Sequence, residues 1–555
     1  MRELAYLKLL AREYPSVKTA SSEIINLTAI QGLPKGTEYF FSDLHGEYEA
    51  FVHLLRSASG IIREKIHDTF GHIISEEEQT ELASLIYYPD RFLNKYTLQG
   101  KVTDEWKKII IYRLVQICRQ VSSKYTRSKV RKKMPTEFAY IIDELLHVDY
   151  RDNNKDVYYS EILNSMIGID VAGKFIIALC ELIQNLTIDS LHIIGDIFDR
   201  GPRADIIMKE LMNFHDVDIQ WGNHDISWMG AATGNLACVC NVLRIAISYN
   251  SFDVLEDGYG INLRPLSMFA AHVYQGDSCE RFIPHTLDQN IYDAVDPGLA
   301  AKMHKAIAVI QFKVEGQIIK RNPEYEMDDR LLLNQIDYEN GTVMLRGKKY
   351  PMLDTNFPTV DPKDPFRLTK EEEELLHTLV LSFRHSELLH RHINFIYTHG
   401  SLYKCYNSNL LYHGCIPMKE DGSFDEISLD GKRLSGKSLM DYIDEQIQKA
   451  YFLPEDAEEK AKARDFMWYL WCGAKSPVFG KDRMTTFEHY FIADKSTYKE
   501  TLNPYYRLSV EETYCDRILE EFGLRKRAPI LSMDMCQLRS KMEKSPSRLA
   551  ESFIS

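Results

Sequence analysis

The chain has 555 residues, with 67 Lys+Arg against 81 Asp+Glu, giving a formal net charge of −14. Hydrophobic residues at 45% and charged residues at 27% are ordinary globular usage, which excludes wholesale disorder and a fibrous repeat. The acidic balance argues against non-specific nucleic-acid binding as the main task, although local cations or bound metals can still receive an anionic substrate in one pocket.

The N-terminal stretch MRELAYLKLLAREYPS reads as an amphipathic helix rather than a signal peptide, because charges interrupt it and no small-residue cleavage site follows. TEYFFSD (37–43) reads as a short apolar strand with a polar end. The helical periodicity that follows it over 61–186 is too long for a connection and reads as a helical insertion. Its basic run, KYTRSKVRKK (124–133), is expected to be a solvated helix face. Further strands are expected at LHIIGD (191–196), VDIQWGNHD (217–225) and NLLYHGC (409–415), each flanked by helical patterns. Between 245 and 395 a second elaboration contains a hairpin turned at Asn340-Gly341 and one charged helix, KEEEELLHTLVLSFRHSELLHRHINFIY. Strands alternating with helices define an α/β core.

No run of 18 apolar residues predicts a membrane span. The ten cysteines are scattered without a CxxC pair, the pattern of reduced thiols in a cytoplasmic protein.

Three short motifs carry the chemistry: Asp43-Leu44-His45, Gly195-Asp196-Ile197-Phe198-Asp199-Arg200-Gly201 and Gly222-Asn223-His224-Asp225. Asp-x-His alone is uninformative, and Asp and Gly after strands are common turn residues. The signal is the order of the three, each just past an apolar strand, where catalytic groups of open α/β sheets gather. Phosphate-ester hydrolysis at neutral pH needs an activated water and a counter-charge for the phosphoryl group, and two divalent cations about 3.5–4 Å apart supply both. Asp43 and His45, alternating along an extended chain, would point to one side and grip one metal. Asp196 would bridge the pair, and Asn223 would hold the second metal through its carbonyl oxygen. Such O/N ligands suit manganese, iron or zinc. His224 is placed to meet the leaving-group oxygen as general acid, with Asp199 orienting it and raising its pKa. Arg200 would pair with phosphate oxygens.

This motif order resembles the calcineurin-like metallophosphoesterase superfamily. A closer resemblance, to the class III (Firmicutes-type) fructose-1,6-bisphosphatases, covers nearly the whole chain, including NSNLLYHGCIPM (407–418), LWCGAKSPVFGKDRMTTFEHYF (470–491) and NPYYR (503–507). The resemblance implies an α/β fold of two packed sheets flanked by helices, with large helical insertions. It also implies a two-metal, manganese-dependent hydrolase that removes the 1-phosphate of fructose 1,6-bisphosphate in gluconeogenesis. Its substrate is a small sugar bisphosphate; no nucleic-acid or membrane partner is expected, and an oligomer is left open. It adds His413 as a ligand of the second metal, with His399 a rival that reads better as a surface or cap residue. Arg483 resembles a second phosphate-binding arginine, and Lys475 and Lys481 are candidates for the second phosphate.

The expected organisation is a phosphoesterase core in three parts, 1–60, 187–244 and 396–524, interrupted by 61–186 and 245–395. A last superfamily histidine, in a Gly-His motif after a further strand, is absent. The segment from residue 525 reads as polar, strandless and out of frame. The codons for Met533-Asp534-Met535-Cys536, read from their third base, force Gly, then His or Tyr, then Val. On that reading residues 525–555 are an out-of-frame tail, the second metal keeps only Asp196, Asn223 and His413, and activity is impaired. A phosphoprotein phosphatase and a non-catalytic remnant are the alternatives.

Overall fold

The computed structural model describes residues 2–33, 35–147, 156–285, 296–525 and 530–533. It is α/β and rich in helix, with a four-stranded sheet and several smaller ones. The chain forms two compact units, one of residues 1–39 and 52–191, the other of residues 40–51 and 192–555.

The first unit is helical throughout its middle. Thr103 caps the helix Asp104–Ser122 by accepting from the N–H of Trp106, and that helix buries Ile110, Ile111, Leu114, Ile117, Cys118 and Val121 on one face. It packs on Ala172–Thr187, whose Phe175, Leu179, Cys180, Leu182 and Ile183 are fully buried. Ser75 and Glu78 form a reciprocal capping box at the start of Glu76–Tyr87. The basic run is not simply a solvated face. Lys129 and Lys133 hold Asp189 at 2.5 and 3.0 Å, Lys124 donates to Thr37, and Arg127 pairs with Asp143 at 2.9 Å. Arg131 and Lys132 do face solvent.

The strands are shorter than the sequence suggests: β1 is Glu38–Phe41, β2 Ser190–Ile194 and β3 Val217–Gln220. Next come β4 (Ile336–Asp337), β5 (Thr342–Leu345) and β6 (Lys348–Pro351), an antiparallel set that contains the hairpin expected at Asn340-Gly341. They are followed by β7 (Gly400–Ser401), β8 (Tyr403–Tyr406), β9 (Asn409–His413), β10 (Ile427–Leu429), β11 (Lys432–Leu434) and β12 (Ile530–Met533). One sheet runs β1-β2-β3-β7, with β3 and β7 parallel, and a second runs β12-β9-β8 with mixed directions.

Side chains of the second unit join these two sheets, with His192 fully buried among them. His192 of β2 lies between Phe40 (ring centroids 4.9 Å) and Tyr406 (5.0 Å). Its Nδ1 meets Asp218 of β3 at 2.8 Å, and the same carboxylate accepts from Lys404 of β8 at 2.7 Å. This is the expected sandwich.

Two local expectations fail. The charged helix is two helices, Lys370–His385 and Glu387–His399, because Ser386 leaves the helical conformation. Its hydroxyl accepts from the N–H of Leu389 and donates to the carbonyl of Tyr259 at 2.6 Å. The segment from 525 is not strandless either. Ile530–Met533 pairs in parallel with Leu410–His413, since a buried apolar strand with an open edge is a template for another short apolar run. Apart from that strand and Arg525, the expected tail 525–555 lies outside the described residues.

Nine of the ten cysteines are described, and all nine are free thiols. No helix among the described residues is long and apolar enough to cross a membrane.

Candidate active site

The three motifs meet because their loops are bonded to one another. After β1 the chain does not run on extended: Asp43 and His45 have φ of 53° and 47°. Such values are uncommon outside glycine and are retained where surrounding contacts hold them. Here the N–H groups of Asp43, His45 and Gly46 donate to the carbonyls of Gly195, Asp196 and Ile197 at 3.1, 2.8 and 2.9 Å. The first loop is thereby laced along the second. Asp43 and His45 share a site through this turn, not through strand alternation, and His45 Nε2 lies 3.6 Å from Asp43 Oδ1.

The second and third loops are tied by Asp225, a fully buried carboxylate to which the sequence reading gave no role. It accepts from the N–H groups of Asp196 (2.8 Å), Ile197 (2.9 Å), Phe198 (3.3 Å) and Gly222 (3.0 Å). Gly222 caps the helix Asn223–Thr233, so Asn223 and His224 sit in its first turn, where the helix dipole is positive. The N–H of His224 donates to Asp196 Oδ1 at 3.1 Å. A Cβ on Gly222 would come within 2.1 Å of that same oxygen, so glycine is required for this approach.

His413 ends β9. Its Nδ1 faces the carbonyl of Ile194 at 3.1 Å, and its Nε2 lies 3.4 Å from Asp196 Oδ2. Gly195, with φ of 76°, leaves room for that ring: a Cβ there would meet it at 2.5 Å. Asp199 spans two imidazoles, 3.3 Å from His45 Nδ1 and 3.3 Å from His224 Nδ1. The edge of Trp471 closes on His224, with centroids 4.8 Å apart.

Burial dominates the electrostatics. It raises Asp196 well above the carboxylate range, and Asp225, Asp43 and Asp199 push the same way against His413. Burial also raises Asp225, although its backbone bonds pull the other way. Burial presses His45 down to about 4. It takes His224 to about 3, aided by the nearby charges of His413, Arg200, Arg244 and Lys481, so the expectation that Asp199 raises this imidazole is not met.

Cations suit this chemistry. Ligand atoms of Asp43, Asp196 and His413 all lie within 4.8 Å of one another, and desolvated carboxylates at such spacing call for a positive charge among them. The geometry points to metal dependence.

The other expected residues make local contacts of their own. His399 is exposed at the end of its helix and stacks on Phe395. Arg483 lies on Asp482 at 3.0 Å, and Lys475 donates to the carbonyl of Glu426 at 2.9 Å. Lys481 pairs with Glu500 at 3.0 Å. Trp471, against His224, and Arg244, on a helix packed against the one that carries His224, escaped sequence reading because no local spacing marks them; for Asp225 the signal was its place in the third motif.

A two-sheet α/β core with carboxylates and imidazoles converging from strand ends defines a metal-dependent hydrolase type of site. The profile of the Firmicute fructose-1,6-bisphosphatase family matches residues 5–534. A class 3 fructose-1,6-bisphosphatase of Clostridium novyi (strain NT) is 55% identical over 523 residues, covering 94% of this chain and 78% of the relative. One from Clostridium botulinum (strain Langeland) is 54% identical over 521 residues, with the same shares. The chain belongs to the Firmicute, class 3, fructose-1,6-bisphosphatase family, and it is a phosphatase. No solved structure matches it.

Proposed function

We propose that this chain hydrolyses fructose 1,6-bisphosphate to fructose 6-phosphate and phosphate, as a cytoplasmic step of gluconeogenesis, at a centre of two divalent cations with manganese the preferred ion. The observation that carries the reading is the convergence of Asp43, Asp196 and His413 within 4.8 Å in a chain of this family.

Asp43 and His45 would hold one ion, Asn223 and His413 the other, and Asp196 would bridge them. When bound, such ions activate water and offset charge on the transferring phosphoryl group. The remaining work falls to the chain. Asp199 fixes His224 through Nδ1, leaving Nε2 to give a proton to the departing sugar oxygen. Burial keeps that imidazole neutral in the free enzyme, and the charge of an arriving phosphate favours its protonation. Arg200 takes phosphate oxygens with its planar guanidinium. Trp471 walls the ring from water, and Asp225 keeps the loops from moving as charge shifts. Arg483 and Lys475, engaged with neighbouring groups, serve as steering charges for the anion.

The test is a phosphate-release screen with added Mn2+ over fructose 1,6-bisphosphate, other sugar bisphosphates and a phosphoserine peptide. Release from fructose 1,6-bisphosphate with little from the peptide supports the assignment. Release from the peptide alone overturns it in favour of a phosphoprotein phosphatase.

A further inference from the structure

A bisphosphate brings two anionic groups, each of about −1.5 to −2 charge, and a cluster of four carboxylates can welcome only the one that meets the metals. The other needs cationic ground nearby. Arg244 supplies it. This residue lies on the helix Leu236–Ser248, which packs against the helix Asn223–Thr233 that begins with Asn223 and His224. The contact is pinned by Asn241, whose amide donates to Ser227 at 2.8 Å, one turn beyond His224.

Arg244 is only 7% exposed, yet its direct partners are all neutral. Nε donates to Gln311 Oε1 at 2.8 Å, Nη2 to Asn241 Oδ1 at 2.8 Å and Nη1 to the Tyr490 hydroxyl at 3.2 Å. Among the described residues no carboxylate lies within ion-pair distance of it; Glu315 is reached only through the Gln311 amide, at 2.8 Å. The neighbouring Arg330, by contrast, is matched by Glu488 at 2.6 and 3.0 Å. A buried guanidinium held rigidly by neutral acceptors is costly on its own and is suited to receive an anion. The Asn241 amide that donates to Ser227 also accepts from Arg244 Nη2, which ties the guanidinium to the helix that begins with Asn223 and His224.

We propose that Arg244 is a specificity residue that binds the phosphate remaining on the sugar, so that the site selects a bisphosphate over a monophosphate. The inference rests on the reading that this site takes a sugar bisphosphate. Gln311, Asn241 and Tyr490 position the guanidinium.

The test is calorimetric binding of fructose 1,6-bisphosphate and of fructose 1-phosphate to the full chain, with Arg244→Met and Arg244→Lys alongside. Because a hydrogen-bonded charge contributes on the order of tenfold to a hundredfold in affinity, Arg244→Met should lose at least about tenfold for the bisphosphate and no more than about threefold for the monophosphate. Arg244→Lys should recover part of the difference. Equal losses for both ligands would mark Arg244 as merely structural, and a wild-type chain that binds the two alike would also overturn the proposal. Turnover, measured separately, reports on the phosphatase reading, so the two can fail independently.

Discussion

Asp199 gives one carboxylate oxygen to each of two imidazoles, Oδ1 to His224 and Oδ2 to His45, both at 3.3 Å. The two rings stand nearly edge to face, 5.7 Å apart. One acidic side chain therefore sets the orientation of the proposed proton donor and of a proposed metal-holding group together.

Asp199→Asn keeps the shape but presents an amide N–H to one ring. Outer partners of this kind are worth about 10–100-fold in activity or metal affinity. The expected outcome is a fall in kcat of that size and a weaker Mn2+ requirement curve, read by phosphate release across a metal titration. An unchanged kcat would mean that the rings are held by packing alone.

Gly222→Ala puts a methyl group 2.1 Å from Asp196 Oδ1 and 2.5 Å from the Asp196 backbone nitrogen. The Asp196 loop cannot yield easily, because Asp225 holds it by several N–H bonds. Activity should fall by about two orders of magnitude, the scale on which small misplacements act, and the melting temperature should fall with it, because a clash in a loop that cannot yield costs stability. Wild-type turnover in this variant would show that the loop tolerates displacement.

Lys313 and Glu372 form an ion pair with both side chains fully buried, at 2.7 Å, and burial pulls the lysine's pKa down. Glu372→Gln leaves that ammonium without its counter-charge and should cost about 3–5 kcal/mol in a denaturant titration. Replacing both partners, with Lys313→Met and Glu372→Leu, should recover most of it. A double variant no better than the single one would contradict this account.

Asp277 predicts an acid-dependent effect. Burial alone would raise its carboxyl, but Lys305 at 2.5 Å, the Cys279 N–H and the Asn356 amide, each at 2.8 Å, outweigh that and hold it at about 2, against the usual 3.8. A lowered pKa stabilises the fold above the ordinary aspartate range, and this contribution disappears as pH falls through about 2. Asp277→Asn should therefore cost about 1 kcal/mol at neutral pH, allowing for solvent screening. Melting curves of the two proteins should converge on acidification; a constant gap would remove the pair from the pH dependence.

Much of the site was legible because its residues lie just past short apolar runs, and such runs announce themselves locally. His413 also ends such a run, Asn409–His413, but its role as a ligand is implied only by the family resemblance. The turn at Asp43-Leu44-His45 was not, since its left-handed backbone is imposed by bonds to a loop some 150 residues on. Arg244 and Trp471 were invisible for the same reason: their helices pack on the one that carries His224, and helix packing has no signature in spacing. Ser386 sits inside a continuous helical pattern that hides the break, although serine is a strong cap and here splits two helices. Ile530–Met533 is a short run inside a polar segment, yet a neighbouring buried strand recruits it.

The most direct measurement is a manganese titration of the full chain followed by electron paramagnetic resonance. The account predicts two ions per chain, magnetically coupled through a shared carboxylate, with the coupling lost in Asp196→Asn. A single uncoupled ion, or coupling that survives in that variant, would contradict it.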